Sequence, residues 1–396
     1  MKRVIFLDRD GTLIKEPPGD FQVDSLEKLE FIPGVFRNLY RLRHFTPYEL
    51  VIVSNQDGMG TPAFPVDSFR IPQEKMMTAF RNEGVEFDAI HIDPSLPEED
   101  SPGRKPRTGM LQDYIGGDYD LGHSYVIGDR LTDLELARNL GARGILFRNG
   151  EESAHPESSR LPESGVRAGV DQTETAFRNG DDLLNSAVLV TDDWDTIYRF
   201  IRAEMRKGLV KRTTGETEIE VEISLDGEGR TEISTGLGFF DHMLAQLGRH
   251  GGFNLKVTAR GDLEVDEHHT VEDTAITLGE AFLKALGDKR GIERYAFELP
   301  MDDALANVAV DLGGRPWIEW EMEFRREKVG DLPTELFFHF FKSFSDAARC
   351  NLNIRATGTN EHHKIESVFK AFARALGKAS RLDPDDNRLP TTKGKL

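Results

Sequence analysis

The chain has 396 residues, 38% hydrophobic and 30% charged, with a formal net charge of −19. That length favours two or more domains, each burying its own core, and the acidity disfavours nucleic acid as a main partner. Cys350 is the only cysteine, which excludes an internal disulfide and any cysteine-rich metal cluster. No run of eighteen apolar residues offers a membrane span, and the start "MKRVIFLDRDGTL" turns acidic too early for a signal peptide, so a cytoplasmic location is expected.

Over the first 150 residues, short β-branched runs ("RVIFLD", "LVIVSNQ", "SYVIGD", "GILFRN") alternate with helical stretches such as "MMTAFRNEG" and "LTDLELARNLG". That alternation predicts an α/β unit with a parallel sheet and helices on both faces. Residues 150–181 lose hydrophobic period and fill with Glu, Ser, Pro, Gly and Asn, which reads as a polar insertion or linker. "AVLVTDDWDTIYRFIRAEMRKG" resumes with a strand and an amphipathic helix, closing a first domain over 1–208. From 209 to 396 the strands alternate strictly, as in "TEIEVEISLDG" and "FNLKVTARGD", and are followed by long helices, which predicts an α+β unit.

Four segments of the first half carry chemistry at strand ends: Asp8 and Asp10 in "FLDRDGTL", Ser54 and Asn55 in "VIVSNQDG", Lys105 in "GRKP", and Asp129 and Asp133 in "VIGDRLTD". Open α/β sheets bind ligands at that edge. Any one of these residues is commonly a turn former or a helix cap. Together they could hold a hard cation, a phosphate and a nucleophilic carboxylate. In order and spacing they resemble the haloacid-dehalogenase-type phosphatases. The resemblance implies that Asp8 attacks phosphorus, that Asp10 serves as acid and then base, and that Ser54, Asn55 and Lys105 hold the phosphoryl group. Mg2+ would lie on Asp8, Asp129 and the main-chain carbonyl of Asp10, with Asp133 orienting that site from behind.

The second half writes one motif twice, "EHHTVE" at 267–272 and "EHHKIE" at 361–366, each at the mouth of a helix. His268 and Glu272 are four apart and share a helix face, whereas His269 points about 100° away. One further histidine precedes each motif, His242 in "FFDHMLAQ" and His339 in "LFFHFFKS", which makes an internal repeat of about 209–300 and 301–385. His242, His268, His269, Glu272, His339, His362, His363 and Glu366 suffice for two sites of three imidazoles and one carboxylate. Such a donor set suits Mn, Fe, Co, Ni or Zn. His250, by contrast, reads as a helix cap or a satisfied polar group.

With "TGLGFFDHML", "HHTVEDT", "GDKRGI", "HHKIES" and the closing "LPTTKGKL", this half resembles the imidazoleglycerol-phosphate dehydratases. The whole chain then resembles the bifunctional histidine-biosynthesis enzymes, in which a histidinol-phosphatase is fused to that dehydratase. The resemblance implies two Mn2+ per dehydratase site, Glu216 in acid–base work, and Gln246, Arg294, Arg315, Lys370, Thr392 and Lys393 on the substrate. It also implies subunits that share each site in a large homo-oligomer, and small phosphorylated imidazoles as substrates. Loss of a proton beside an imidazole ring, with no carbonyl to take the charge, makes the metal-bound ring the electron sink.

Two alternatives stand beside this. The phosphatase half could serve another small phosphate ester, because its motifs specify the reaction and not the alcohol. The histidine repeats could be closed structural metal sites, although these would give no purpose to the accompanying set of cations. One departure from the family is visible. Its phosphatases carry a zinc loop of Cys, His, Cys and Cys just before Arg-Lys-Pro, and here those positions are Asp93, Ser95, Ser101 and Gly103 in "IDPSLPEEDSPGRKP". No structural Zn is expected there, and the loop should owe its order to packing and to its prolines.

Overall fold

The computed structural model describes residues 1–148, 182–383 and 385–396; the polar insertion read at 150–181 lies outside them. These residues divide into two compact units, 1–200 and 201–396.

In the first unit, β1 (Arg3–Leu7) is an unbroken apolar run, and Val4 to Leu7 are all fully buried. A strand without a polar face has to lie inside a sheet covered on both sides, the usual condition of parallel strands. It pairs in parallel with β2 (Tyr48–Asn55) and β4 (Tyr125–Gly128), and β3 (Ala89–Asp93), β5 (Arg143–Phe147) and β6 (Leu189–Thr191) extend the sheet in parallel to the order β3-β2-β1-β4-β5-β6. The crossovers carry helices α1 (Val35–Phe45), α2 (Val66–Asn82) and α3 (Leu131–Leu140). Strand order reverses between β1 and β4, so the carboxyl ends of β1, β2 and β4 border a crevice that no connection fills. Helix α4 (Trp194–Glu204) follows β6, and its buried Trp194 donates its indole N–H to the Thr12 carbonyl. The division at 200/201 falls inside α4, upstream of the 208/209 boundary drawn from the sequence.

The second unit contains the same arrangement twice. β7 (Lys207–Thr213), β8 (Thr217–Ser224), β10 (Asn254–Gly261) and β9 (Thr231–Ser234) form one four-stranded sheet. β11 (Tyr295–Met301), β12 (Ala304–Asp311), β16 (Asn351–Thr357) and β13 (Trp317–Glu321) form the other. Each has two antiparallel pairings followed by one parallel pairing at the edge. A short hairpin of β14 (Lys328–Val329) and β15 (Leu332–Pro333) is added in the second repeat. Alternation buries Ile219, Val221 and Ile223 of β8 and leaves Glu218 and Glu222 exposed.

Helices α5 (Gly238–Gly251) and α6 (His268–Leu286) belong to the first repeat, and α7 (Leu336–Ala348) and α8 (Glu361–Ala379) to the second. They pack across the repeats, α6 on α7 and α5 on α8. Both contacts are close at a glycine. A side chain on Gly279 would strike Phe344 and Ala347, and one on Gly377 would strike the Gly251 backbone. Phenylalanines fill the space between the helices: Phe344 meets Phe282 across the repeats, and within the second repeat Phe341 and Phe344 both stand edge-on to Phe372.

Candidate active sites

At the crevice of the first unit, β1 delivers Asp8, β2 delivers Ser54, and β4 delivers Asp129 through its following turn. Lys105 is 7% exposed and its Nζ donates to Asp8 and, at 2.8 Å, to Asp133 Oδ1. Asn55 does not reach into the crevice as a phosphate donor. Its amide brackets the Lys105 backbone, accepting from its N–H at 2.9 Å and donating to its carbonyl at 3.2 Å, and so holds the lysine in place. Burial pushes the Asp8 and Asp129 carboxyls above the usual range, and the neighbouring carboxylates reinforce the shift, while Lys105 pulls Asp8 back. Burial opposes the charge on Lys105, but Asp133 and Asp8 outweigh it and hold the ammonium above its ordinary value.

Asp8, Asp129 and Asp133 each bring an oxygen within 4.8 Å of the others, and Asp129 Oδ1 is buried without a partner. An unpaired buried carboxylate oxygen beside two more is the donor set of a hard cation. Asp133 borders this cluster with both oxygens engaged, Oδ1 accepting from Lys105 and Oδ2 from the Arg130 N–H at 3.2 Å. Gly11 makes the approach possible: its φ of +79° is left-handed, and a Cβ there would lie 2.2 Å from Asp129 Oδ2.

Asp10 faces a different set. Arg9, fully buried, donates to it at 2.8 Å, and Gln56 Nε2 donates to it at 2.7 Å and to Ser54 Oγ at 2.8 Å. Sequence reasoning passed over both residues, although each abuts a motif, Arg9 inside "DRDG" and Gln56 directly after Ser54-Asn55. Glu16 pairs with Arg130 above the same cluster, and burial pushes its carboxyl up to about 7 against the pull of that arginine.

In the loop before Lys105, the four positions expected to lack a metal converge on one carboxylate. Asp93 accepts from the Ser95 N–H at 3.0 Å and from its hydroxyl, and from Ser101 Oγ at 2.7 Å, while Gly103 N–H donates to Ser101 Oγ. Arg104 fastens the loop to Asp57 and to the Ser95 carbonyl. A hydrogen-bonded knot thus supplies order that the sequence reading assigned to packing and prolines.

In the second unit the helix pairing across repeats decides which histidines meet. His268 and Glu272 of α6 gather with His339 of α7, and His362 and Glu366 of α8 gather with His242 of α5. Each cluster holds two imidazoles and one carboxylate, with ligand atoms within 4.8 Å of one another. His269 and His363 join neither cluster. His269 turns its Nδ1 to Asp262 at 3.2 Å and its Nε2 toward Glu216 at 3.7 Å, and His363 turns its Nδ1 to Asp303 at 2.7 Å. An imidazole fixed by a carboxylate at one nitrogen presents the other as a metal ligand. Within one chain each cluster is one imidazole short of the four donors counted in the sequence. Asp303 is itself fixed by Thr359 and the Asn360 N–H. Asp262 lies seven residues before His269, but no sequence signal ties Asp303 to His363.

Gln246 reaches His242 at 3.4 Å and Glu366 at 3.5 Å, and Lys370 pairs with Glu366 at 3.0 Å, so both border the second cluster. Arg294 is engaged elsewhere: it is bidentate to Asp311 and donates to the Pro390 carbonyl at 2.8 Å. The closing tail that carries Thr392 and Lys393 is thereby docked, and a side chain on Gly314, next to the exposed Arg315, would strike Leu396.

The imidazoleglycerol-phosphate dehydratase family model matches residues 235–376, the polynucleotide kinase 3 phosphatase model residues 3–127, and a HAD-hydrolase-like model residues 103–170. The histidine biosynthesis bifunctional protein HisB of Spirosoma linguale is 53% identical over 399 residues, covering 100% of both chains. The chain belongs to the bifunctional histidine biosynthesis proteins. As a member it is an enzyme joining a HAD-type phosphatase domain to a dehydratase domain, both of metal-dependent kinds. Among solved structures, the Staphylococcus aureus imidazoleglycerol-phosphate dehydratase is 38% identical, covering 45% of this chain and 99% of its own, with a TM-score of 0.41. The D,D-heptose 1,7-bisphosphate phosphatase of B. bronchiseptica is 30% identical, covering 47% of this chain and 100% of its own, with a TM-score of 0.35. No helix among the described residues is long and apolar enough to cross a membrane.

Proposed function

We propose that this bifunctional enzyme hydrolyses histidinol phosphate in a domain over 1–208 and dehydrates imidazoleglycerol phosphate to imidazoleacetol phosphate in a domain over 209–396. The observation that carries the reading is the coexistence of two donor sets in one chain: a cluster of three carboxylates, two of them bonded to Lys105, and two histidine–glutamate clusters, the second bordered by Lys370.

In the phosphatase domain, an Asp8 oxygen attacks phosphorus as the bond to the alcohol breaks, giving an aspartyl phosphate. Asp10, positioned by Arg9 and Gln56, gives its proton to the leaving oxygen. It then takes a proton from the water that releases phosphate. Ser54 and Lys105 bear the phosphoryl oxygens, with Asn55 holding Lys105 at its backbone. Asp8 and Asp129, with the Asp10 carbonyl, would hold Mg2+, which supplies charge neutralisation to the phosphoryl group, and Asp133 steadies the cluster through Lys105 and the Arg130 N–H.

In the dehydratase domain, each two-histidine cluster is completed by a third imidazole, His269 or His363, of another copy, so the chain works as a large homo-oligomer. Mn2+ bound there would supply Lewis acidity to the substrate ring. Glu216, beside His269, moves the proton, Lys370 and Gln246 border the ring, and Arg315, Thr392 and Lys393 take the phosphate on a tail that Arg294 holds down.

The test is to assay the purified chain on both esters, with Mg2+ and Mn2+ supplied. Turnover of both is expected. Dehydration without release of phosphate from histidinol phosphate would redirect the first domain to another small phosphate ester.

A further inference from the structure

A cavity of about 240 Å³ opens in the second unit between the C-terminal ends of α5 and α8, lined by Arg206, Asp226, His250, Arg374, Lys378 and Arg381. None of these belongs to the clusters described above. His250 lies eight residues beyond His242 on α5, and Arg374 eight beyond Glu366 on α8, roughly 12 Å along each helix at 1.5 Å per residue.

The charge in this cavity runs against the chain. In a molecule with a formal net charge of −19, the described residues of this lining include three arginines and a lysine against one carboxylate. That carboxylate is already committed: Asp226 accepts from Arg206 Nε at 2.7 Å, and Arg206 Nη2 donates to the Ser380 carbonyl at 2.6 Å. Arg206 is 6% exposed, so a guanidinium with two of its nitrogens tied is held rigidly in the wall. The guanidinium groups of Arg374 and Arg381 make no hydrogen bond or ion pair among the described residues, and neither does the half-buried ring of His250, read from the sequence as a cap or a satisfied polar group. Burial, then the Lys370 and Arg374 charges, depress the His250 imidazolium, and burial depresses Arg206 despite Asp226. Like charges crowded in a partly enclosed space are relieved by an anion with several acceptor oxygens.

We propose that this cavity is an anion site for a small phosphate group, free or as a monoester, separate from both catalytic centres. Its volume lies just below the roughly 300–1,000 Å³ of pockets for drug-sized ligands, which suits so small a guest. Arg374 and Arg381, exposed in the lining, offer planar guanidinium forks to a tetrahedral group, Arg206 keeps only its Nη1 beyond its two bonds, and the ammonium of Lys378 adds a point charge at the rim.

Equilibrium dialysis of the full chain, loaded with Mg2+ and Mn2+, against labelled inorganic phosphate tests the site. The native chain should bind one more phosphate per chain than the Arg374→Gln/Arg381→Gln variant, with both turnovers kept within about twofold. Because the double variant could misfold, each single variant is measured too, and each should weaken the extra phosphate about tenfold. Unlabelled glycerol phosphate separates the sources: displacement at a lower concentration than phosphate marks a monoester site, and weaker displacement a site for the free ion. An equal number of bound phosphates in native and variant chains overturns the proposal. So does loss of dehydration in step with phosphate binding in a folded variant, which would place these arginines in the substrate site.

Discussion

The carboxylate site of the first unit is closed within one chain, whereas each histidine cluster of the second is open and gathers two imidazoles and one carboxylate. Asp8, Lys105 and Asp133 are 9% exposed or less; Lys105 bonds both carboxylates, and the three come from the end of β1, the loop ahead of Pro106, and the first turn of α3. His242, His268, His339 and His362 remain partly or well exposed. A nucleophile needs burial and a fixed partner to attack without competition from water. A metal ligand can wait at the surface for the donor that completes it. On the proposed reading, one activity is a property of the folded chain and the other a property of its assembly.

The sharpest way to break this comparison is Asp8→Asn. We expect phosphate release from histidinol phosphate to fall by at least about 10⁴-fold, with dehydration unchanged to within about twofold. Parallel loss of dehydration in a folded variant would make the two units interdependent. Next in size is removal of an outward histidine. His269→Ala or His363→Ala should lower dehydration by about 100-fold or more and give a smaller particle by light scattering, leaving phosphatase turnover intact. A chelator should reproduce that result, and Mg2+ alone should return phosphatase activity to the dissociated chains. A monomer with full dehydratase activity would refute the shared site.

Asp303 sharpens the same point from behind the ligand. Asp303→Ala should weaken Mn2+ binding about 10- to 100-fold in a metal titration, and Asp303→Glu should restore part of it. An unchanged affinity would leave the carboxylate as a turn former for Thr359 and Asn360.

The smallest effect lies at the Asp93 knot. Burial works against this carboxylate, but Ser95, Ser101 and Arg104 outweigh it and hold the group below its ordinary value. A carboxyl lowered on folding stabilises above the unfolded value near pH 4 and loses that contribution as pH falls through the folded one. Asp93→Ala should therefore cost about 1–3 kcal/mol locally, seen as faster hydrogen exchange at the Ser95 and Gly103 amides near neutral pH. That excess should fade in acid as the native loop also loosens. Elemental analysis of the same native protein, purified without added metal, should find no zinc. About one tightly held zinc per chain would show that the knot is not what orders the loop.

Much of both sites is legible in the sequence because the geometry is local. An apolar strand ending in Asp8 must present that aspartate at the sheet edge, and His268 and Glu272, four apart on a helix, must share a face. The repeat of the motif likewise announces two equivalent halves, and the two four-stranded sheets have matching order and pairing. What the sequence could not decide is which half supplies which ligand. Nothing between His242 and His268 says that His242 will meet Glu366 instead, since that depends on α5 crossing α8 at Gly377 and α6 crossing α7 at Gly279. The same holds for Asp303 behind His363, for Gln56 between Asp10 and Ser54, and for Ser95 and Ser101 folded onto Asp93. Periodicity specifies the face a residue occupies, because that follows from the rise and turn of one element. The partner across the interface is selected by packing of whole helices and sheets, and so belongs to the tertiary structure.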